Sequence, residues 1–379
     1  MTLEINPVVR RAYEAANQVV SAHCDLLYQC DLDCEHCYLD DKKRHILPTA
    51  FWKDVFDQLA EIGVLAVVIS GGEAFLRKDL FELLDHAKSK GLIVVLKTHG
   101  GWLTESSAKR LRQTSVFQVH LSYYSHRSEV HDAVTRRVGS HAKTVAGINH
   151  LVQAGVKVKL NITLMERNAA DEAGIRAQFA SQPNVELSFS RKLNLAMSGD
   201  DFPKQLGLTG DALERSLKGG PELSIAASSS CSPLSAGDGW AEGSLCGAGR
   251  SSLYIDPEGK VTPCLNWSRA VGDLRNGERL KDIWQESTYL QDIRGTFNAD
   301  RDACGGCAGR QTCSYCPGQA YLETGDYTQP STYACTSNDA KRRVAYQNAG
   351  LEPPEPPPGL RKQRGFTILS ATQAAEARG

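Results

Sequence analysis

The sequence predicts an α/β fold, a parallel β-sheet with helices between its strands, followed by a small cysteine-rich region. From Ser21 to about Arg191, short apolar runs rich in β-branched residues alternate with amphipathic helical runs. Most of the 12 cysteines then fall between Cys231 and Cys335. Because apolar strands that alternate with helices are typical of parallel sheets, we expect a sheet that is either open or curved into a barrel.

Six strands follow one another in this alternation. The first is SAHCDLLYQ, and the others are VLAVVIS, LIVVLKT, VFQVHLS, VKVKLNITL and VELSFS. The helical runs between them are FWKDVFDQLAEIG, KDLFELLDHAKSK, TESSAKRLRQ, HAKTVAGINHLVQA and a polar run near Asp171 to Ala180. In the first helix, Thr49 is suited to cap the start and Gly63 to end it.

Composition and charge exclude several classes of partner. The net charge of −1, with both signs interspersed, gives no basic surface for nucleic acid, so we expect no nucleic-acid partner. The N-terminus lacks the apolar core of a signal peptide, and no run reaches the roughly 20 apolar residues of a membrane helix. We therefore expect a cytoplasmic protein without membrane association, whose cysteines serve as metal ligands or reactive thiols rather than disulfides.

Changes in composition divide the chain into five parts. Residues 1–20 form a lead-in, 21–200 the α/β domain, 201–244 a Gly- and Ser-rich linker, 245–346 the cysteine-rich domain and 347–379 a Pro-rich tail. Few apolar residues separate the cysteines of the fourth part, so we expect bound metal rather than a conventional core to hold it together. We expect the tail to be extended or disordered.

Three cysteines, Cys30, Cys34 and Cys37, directly follow the first predicted strand with the spacing C-x3-C-x2-C. The loops after the strands of a parallel sheet are where such folds hold their sites. Three thiolates can bind three irons of a cubane iron–sulphur cluster and leave the fourth iron open for a small molecule. A zinc site completed by His36, or a group of reactive thiols, is the alternative interpretation.

This cysteine spacing, with Tyr38 directly after the third cysteine, resembles the hallmark of the radical S-adenosylmethionine (radical SAM) superfamily. The resemblance implies a partial (β/α)6 barrel, similar to a TIM barrel. It also implies a 4Fe–4S cluster held by Cys30, Cys34 and Cys37, with an open iron site, and S-adenosylmethionine (SAM) as the second cofactor. Tyr38 is implied as a residue that contacts SAM.

The second strand ends in SGGEAF, where the same family carries a Gly-Gly-Glu segment that holds the amino group of the methionine part of SAM. Gly71 and Gly72 would let the backbone approach a ligand closely, and Glu73 would pair with an ammonium group. The resemblance further implies SAM contacts at later strands, from Thr98, Ser122 and Asn161.

The run CGGCAGRQTCSYC contains two C-x2-C pairs, which also occur in zinc sites. With the neighbouring cysteines it resembles the SPASM extension of radical SAM enzymes, which binds auxiliary iron–sulphur clusters. The resemblance, which covers roughly residues 21–340, implies two auxiliary clusters, expected to be 4Fe–4S. Their implied ligands are Cys246, Cys264 and Cys316 for the first and Cys304, Cys307, Cys313 and Cys335 for the second, with Cys231 as the possible fourth ligand of the first. The family spaces the last two cysteines of the run by three residues, whereas here two residues separate Cys313 from Cys316.

The resemblance implies reductive cleavage of SAM to a 5′-deoxyadenosyl radical that abstracts hydrogen from a substrate, with electrons from a flavodoxin- or ferredoxin-type donor. SPASM-bearing relatives mostly modify ribosomally made peptides or proteins, giving a thioether or C–C crosslink or an oxidised side chain, and this is the leading prediction. Modification of a tetrapyrrole or another small molecule is the runner-up, and a zinc-stabilised binding protein is the alternative of another class. Leu265 stands where sulphatase-maturing relatives have an aspartate base, which disfavours that activity.

The expected partner of such an enzyme is a precursor peptide or protein. Only about 20 residues precede the first strand, fewer than the roughly 40 below which a segment seldom folds alone. We therefore expect either direct binding of the substrate or a separate leader-binding protein.

Overall fold

The computed structural model describes residues 6–39, 42, 46–114, 116–198, 202–218, 241–305, 307, 313, 315–348 and 350–352. Cys231 and residues 353–379 of the predicted tail lie outside the described residues. Within these ranges, no helix combines the length and the apolar character that a membrane crossing requires.

All six predicted strands form, and helices connect them. The α/β part contains α1 (Pro7–Ala15), β1 (Ser21–Asp25), α2 (Thr49–Glu61), β2 (Ala66–Ser70), α3 (Leu80–Ser89), β3 (Ile93–Thr98), α4 (Glu105–Thr114), β4 (Gln118–Ser122), α5 (Ser128–Thr135), α6 (Ser140–Gln153), β5 (Val158–Thr163), α7 (Glu172–Phe179) and β6 (Val185–Ser190). Later elements are α8 (Phe202–Gln205), α9 (Gly210–Lys218), β7 (Ser252–Ile255), β8 (Lys260–Thr262), β9 (Gly272–Asp273), α10 (Leu280–Glu286), α11 (Thr288–Gly295), α12 (Asp302–Gly305), α13 (Pro317–Thr324) and α14 (Thr332–Asn348).

The strands of the described residues form one sheet in the order β6-β5-β4-β3-β2-β1-β7-β8-β9. β1 to β6 pair in parallel, each with the next along the chain, as the alternation predicts. β7 belongs to the cysteine-rich region and pairs in parallel with the other side of β1, so that Cys24 lies between Ile69 and Ile255. The two regions therefore share one sheet.

The two faces of the sheet differ in polarity. One face packs against the helices through apolar side chains such as Leu96, Val119 and Leu160, which belong to the main core. Alternate residues on the other face are polar, and Lys97, His120, Lys159 and Glu186 lie in one row across four neighbouring strands. Because successive side chains of a strand point to opposite faces, the polar row lies on the face opposite the helices.

The sheet is curved into a partial barrel. Residues from the ends of β2 to β6 line the same cavity as the loop that follows β1. A flat sheet would hold β1 and β6 about 24 Å apart, at about 4.8 Å per strand, which is too far for one cavity. The predicted fold class is confirmed.

Three features differ from the expectations. α5 and the strands β7 to β9 were not predicted. Thr49 is the first residue of α2 rather than its cap, and its hydroxyl donates to Asp79 at 2.5 Å. The cysteine-rich region has apolar core residues after all, because Leu253, Trp267 and Leu290 are buried in the main core that they share with the α/β part.

Candidate active site

The loop that carries the first three cysteines, residues 26–39, is the cysteine loop, and it rests on the C-terminal end of α5. The backbone N–H of Asp33 donates to Thr135 O at 3.2 Å, and that of Glu35 donates to Val134 O at 2.9 Å. The last carbonyls of a helix have no partner within the helix, so they are free to accept these bonds. A helix that the sequence did not predict therefore braces the middle of the loop.

The thiols of Cys30, Cys34 and Cys37 line a cavity of about 430 Å3 at the carboxyl ends of the strands. Burial raises the pKa of Cys30 and of Cys34 to about 12, and for Cys34 the adjacent Cys37 and Cys30 contribute further. Three thiolates that line one cavity repel one another, and bound cations would relieve that repulsion. The donor set fits an iron–sulphur cluster.

Gly71 and Gly72 leave no room for side chains. A Cβ at Gly72 would lie 2.2 Å from Gln29 O, and a Cβ at Gly71, where φ is +137°, would lie 2.4 Å from Leu27 O. The turn and the cysteine loop are also bonded, because Gly72 N donates to Leu27 O and Glu73 N to Gln29 O, both at 2.8 Å. Both glycines line the cavity. The close contact that they permit is with the main chain of the cysteine loop, whereas the sequence predicted a close approach of the backbone to a ligand.

Glu73 is fully buried and lies behind the cavity wall rather than in it. Its carboxylate accepts from Thr98 Oγ1 at 2.8 and 2.9 Å, from His99 N at 2.9 Å and from Phe75 N at 3.0 Å. His99 Nε2 lies 3.1 Å from the same carboxylate. Glu73 thus positions two residues that do line the cavity, Thr98 and His99.

The structure brings the other predicted SAM-contacting residues together around the cavity. Two of its polar atoms, His36 Nδ1 and Asn161 Oδ1, are buried without a hydrogen-bond partner in the described part of the chain. Because buried polar atoms are normally paired, such atoms are suited to contacts with a polar ligand. The predicted residues that line the cavity are Tyr38, Gly71, Gly72, Thr98, Ser122 and Asn161.

Three lysines in the cavity wall, Lys42, Lys97 and Lys192, were not predicted as site residues. Burial lowers the pKa of Lys97, and it is the one charged residue in the apolar run LIVVLKT, a signal that could have identified it. Burial also lowers the pKa of Lys192, against the opposing effect of the nearby Cys316 and Cys313. Lys192 therefore lies between the cavity and the second cysteine region, a position that its sequence context does not reveal.

The cysteines of the second region form two groups whose members influence one another. Burial raises the pKa of Cys246 to about 12 and that of Cys264 above its usual range, and Cys316 raises both further. Burial raises the pKa of Cys335 to about 12, and three neighbouring cysteines add to this effect. The groups are Cys246, Cys264 and Cys316 on one side and Cys304, Cys307, Cys313 and Cys335 on the other.

A buried arginine accompanies the second group. Arg301 is 5% exposed, and its Nη2 donates to Cys304 Sγ at 3.0 Å. Its guanidinium lies 3.5 Å from the centre of the Tyr315 ring. Burial raises the pKa of Cys313 and of Cys335, and the charge of Arg301 opposes this effect and so favours the thiolate form that binds metal.

The spacing of the thiols bears on which metal they suit. Among the described residues, no three cysteine thiols lie within 4.8 Å of one another. Tetrahedral zinc with bonds of about 2.3 Å would require sulphurs about 3.8 Å apart. The close group that does occur, Cys30 with Asp31 and His99, is explained by the 2.9 Å bond between His99 Nε2 and Asp31.

Two family models match the chain. One, described as the radical SAM superfamily, matches residues 26–175, and the other, the SPASM iron–sulphur cluster-binding domain, matches residues 246–316. Both matched segments contain cysteines that are predicted metal ligands.

Similar proteins cover most of the chain. Mycofactocin maturase MftC of Mycolicibacterium smegmatis is 30% identical over 301 residues, which are 76% of this chain and 75% of MftC. The AdoMet-dependent heme synthase of Methanosarcina barkeri is 26% identical over 342 residues, 82% of this chain and 94% of the synthase. PqqA peptide cyclase of Bradyrhizobium diazoefficiens is 27% identical over 322 residues, 80% of this chain and 82% of the cyclase.

Among solved structures, SuiB of Streptococcus suis bound to S-adenosylmethionine has the same fold. Its TM-score is 0.60 at 16% identity, over 84% of this chain and 77% of SuiB.

Proposed function

Because the chain belongs to the radical SAM superfamily and carries a SPASM domain, we propose that it modifies a ribosomally made peptide or protein. The observation that carries the proposal is the similarity to MftC, a maturase, over three quarters of both chains. The similarity to PqqA peptide cyclase supports the same substrate class. The expected product is a thioether or C–C crosslink, or an oxidised side chain.

Iron–sulphur clusters and SAM are the cofactors of this family, and we assign Cys30, Cys34 and Cys37 as ligands of a 4Fe–4S cluster with an open iron. When bound, the cluster and SAM supply a 5′-deoxyadenosyl radical that removes a hydrogen atom from the substrate. The protein's contribution is to hold the reactants in place and to exclude competing hydrogen donors.

Residues of the strand ends would hold SAM in the cavity. Thr98, Ser122 and Asn161 offer hydroxyl and amide groups, and the unpaired Asn161 Oδ1 is suited to accept from the ligand. Glu73 orients Thr98, and its negative charge behind the cavity wall would attract the ammonium group of SAM without touching it. Tyr38, whose hydroxyl donates to Asp25 at 3.1 Å, gives the cavity an ordered aromatic wall.

Apolar side chains complete the cavity wall. Leu32, Leu39, Leu193 and Leu265 line it and limit the access of water. Leu265 directly follows Cys264, so the second cysteine region forms part of the reaction chamber. An aliphatic side chain has no group that could act as a proton acceptor here.

We further propose that the two cysteine groups of the second region hold auxiliary clusters. The supporting observations are the effects of neighbouring cysteines on one another's pKa and the contact of Arg301 with Cys304. The position of Lys192 between Cys316 and the cavity would allow such a cluster to influence the substrate.

Tetrapyrrole modification is the second candidate, because the heme synthase similarity spans 94% of that enzyme. If this candidate is right, the protein should bind a porphyrin, and the absorbance spectrum of the porphyrin should change when the two are mixed. A zinc-stabilised binding protein predicts zinc without sulphide.

The test of the proposed function begins with anaerobic measurement of iron, sulphide and zinc. About 12 irons per chain are expected if three cubanes form. Dithionite and SAM should then yield 5′-deoxyadenosine, and a co-expressed precursor peptide should change mass by loss of hydrogen. Zinc without sulphide, or no 5′-deoxyadenosine, would overturn the proposal. If 5′-deoxyadenosine formation is coupled to the modification of a porphyrin and not of a peptide, the second candidate is the correct function.

A further inference from the structure

Five exposed side chains lie around Asp31 at the outer edge of the cysteine loop, and we name this surface the Asp31 corner. Its apolar members are unusually open, because Val138 is 94% exposed and Trp102 is 49% exposed. The three others are exposed cations. One of them, Lys143, lies beside the Trp102 segment, because its Cβ is 3.8 Å from the position that a Cβ on Gly101 would occupy. The corner consists of Trp102, Arg136, Arg137, Val138 and Lys143.

The corner is connected to Cys30 by a short path. Arg137 Nη2 donates to the backbone oxygen of Asp31 at 2.7 Å, and the side chain of Trp102 is hydrogen-bonded to the Asp31 carboxylate. Asp31 directly follows Cys30. One hydrogen bond and one residue of main chain thus separate an exposed side chain from a cysteine that we assign to the cluster.

The other side of the cysteine loop is covered. Cys34 packs against a buried apolar group formed by Tyr124, Val134, Met165 and Leu193. Because the rate of electron transfer falls steeply with distance, an electron carrier would deliver electrons best where the protein layer over the cysteines is thinnest. The Asp31 corner is such a place.

The charge of the corner indicates the kind of carrier. Arg136 and Lys42 share a single carboxylate, Asp33, at 3.4 and 3.0 Å. Within the described residues, Arg137 and Lys143 form no ion pair. Two further carboxylates lie beside the corner: Asp31 is paired with His99 at 2.9 Å, and Asp132 accepts from Gly139 N at 2.6 Å. The four cations therefore exceed the three carboxylates by one, and this small surplus of positive charge around exposed apolar side chains is complementary to an acidic protein with an apolar rim around its redox centre.

We propose that the Asp31 corner is the docking surface for an acidic one-electron carrier of the flavodoxin or ferredoxin class. This inference rests on the proposed function. In the step that it serves, the reduced carrier loses one electron and is oxidised, and the cluster held by Cys30, Cys34 and Cys37 gains that electron and is reduced. No covalent bond changes and no proton moves in this step.

The experiment uses Val138→Glu, Val138→Lys and Lys143→Glu in the full-length, cluster-loaded enzyme. Neither side chain is part of the cavity wall or of the proposed ligand sets. The control is Lys157→Glu, an exposed lysine directly before β5, at the opposite end of the strands. The probe is a bacterial flavodoxin, measured first for binding in its oxidised form and then as reductant with NADPH and flavodoxin reductase.

We expect each glutamate variant to raise the flavodoxin dissociation constant on the order of tenfold at low ionic strength, with a smaller effect at high salt. Val138→Lys should tighten binding, and Lys157→Glu should leave it unchanged. Formation of 5′-deoxyadenosine should follow the same order with flavodoxin. With dithionite, which needs no protein docking, all variants should match the wild type.

The outcomes separate this inference from the proposed function. No 5′-deoxyadenosine from the wild type with either reductant would refute the proposed function itself. Dithionite activity with flavodoxin binding that is equal in all variants would refute only the docking surface. Equal losses with both reductants would refute it too, because the substitutions would then act on the cysteine loop or on a substrate and not on the carrier.

Discussion

Substitution of Gly72 by alanine should break the contact between the turn after β2 and the cysteine loop. The added Cβ would lie 2.2 Å from Gln29 O and 2.5 Å from Tyr28 O, whereas such contacts are essentially never below 3.0 Å. The main chain that leads into Cys30 would therefore have to move by about 0.8 Å. These contacts are to main-chain atoms, which cannot rotate away, so the cost should be at the upper end for overpacking, about 3 kcal/mol.

The φ of Gly72 lies outside the left-handed region, so alanine itself is compatible with the backbone and the effect is purely steric. The matched control is Gly295→Ala at the end of α11, where an added Cβ meets nothing within 4 Å. Iron content, SAM affinity by equilibrium dialysis and the urea midpoint should all fall for Gly72→Ala. For Gly295→Ala, iron content and SAM affinity should stay unchanged, and the urea midpoint should stay unchanged or rise slightly. A Gly72→Ala protein with full iron and wild-type SAM affinity would refute the reasoning.

Three further predictions concern the site and its surroundings. Glu73→Gln should weaken SAM binding on the order of tenfold with the fold retained, because it removes the negative charge behind the cavity wall and disturbs the bonds that position Thr98 and His99; unchanged affinity in a binding titration would argue against this role. Cys34→Ala should abolish 5′-deoxyadenosine formation, whereas Cys24→Ala, buried in β1, should keep its clusters and lose only about 1–2 kcal/mol of stability; equal activity of Cys34→Ala and the wild type would exclude Cys34 as a ligand. Burial and the charges of nearby lysines lower the pKa of His120 to about 4, so the unfolded chain takes up its proton near pH 6.5 before the folded protein does, and stability is lost as pH falls from 6.5 to 4. Between pH 7 and pH 5, the free energy of unfolding measured in urea should fall by about 2 kcal/mol less for His120→Gln than for the wild type; a variant with the same pH dependence as the wild type would contradict this.

Much of the site was predictable because its signals are local. The spacing of Cys30, Cys34 and Cys37, and a Gly-Gly-Glu segment at the end of an apolar strand, can be recognised within a few residues. The position of Glu73 differs from the simplest expectation, because Thr98 and His99 come from the next strand and occupy its carboxylate. That arrangement depends on which strands are neighbours, which a single segment does not encode.

The sequence by itself determined the strand–helix alternation from Ser21 to Arg191 and the places where cysteines concentrate, since hydrophobic period and ligand spacing are properties of short segments. Only the tertiary structure decided that β7, four residues long, pairs with β1 and joins the cysteine-rich region to the barrel. It also decided that α5 supports the cysteine loop and that Lys192 lies between the cavity and the second cysteines. The physical reason is that contacts between distant segments are selected by the packing and hydrogen bonding of the whole chain, and the energy of each depends on partners that lie far away in the sequence.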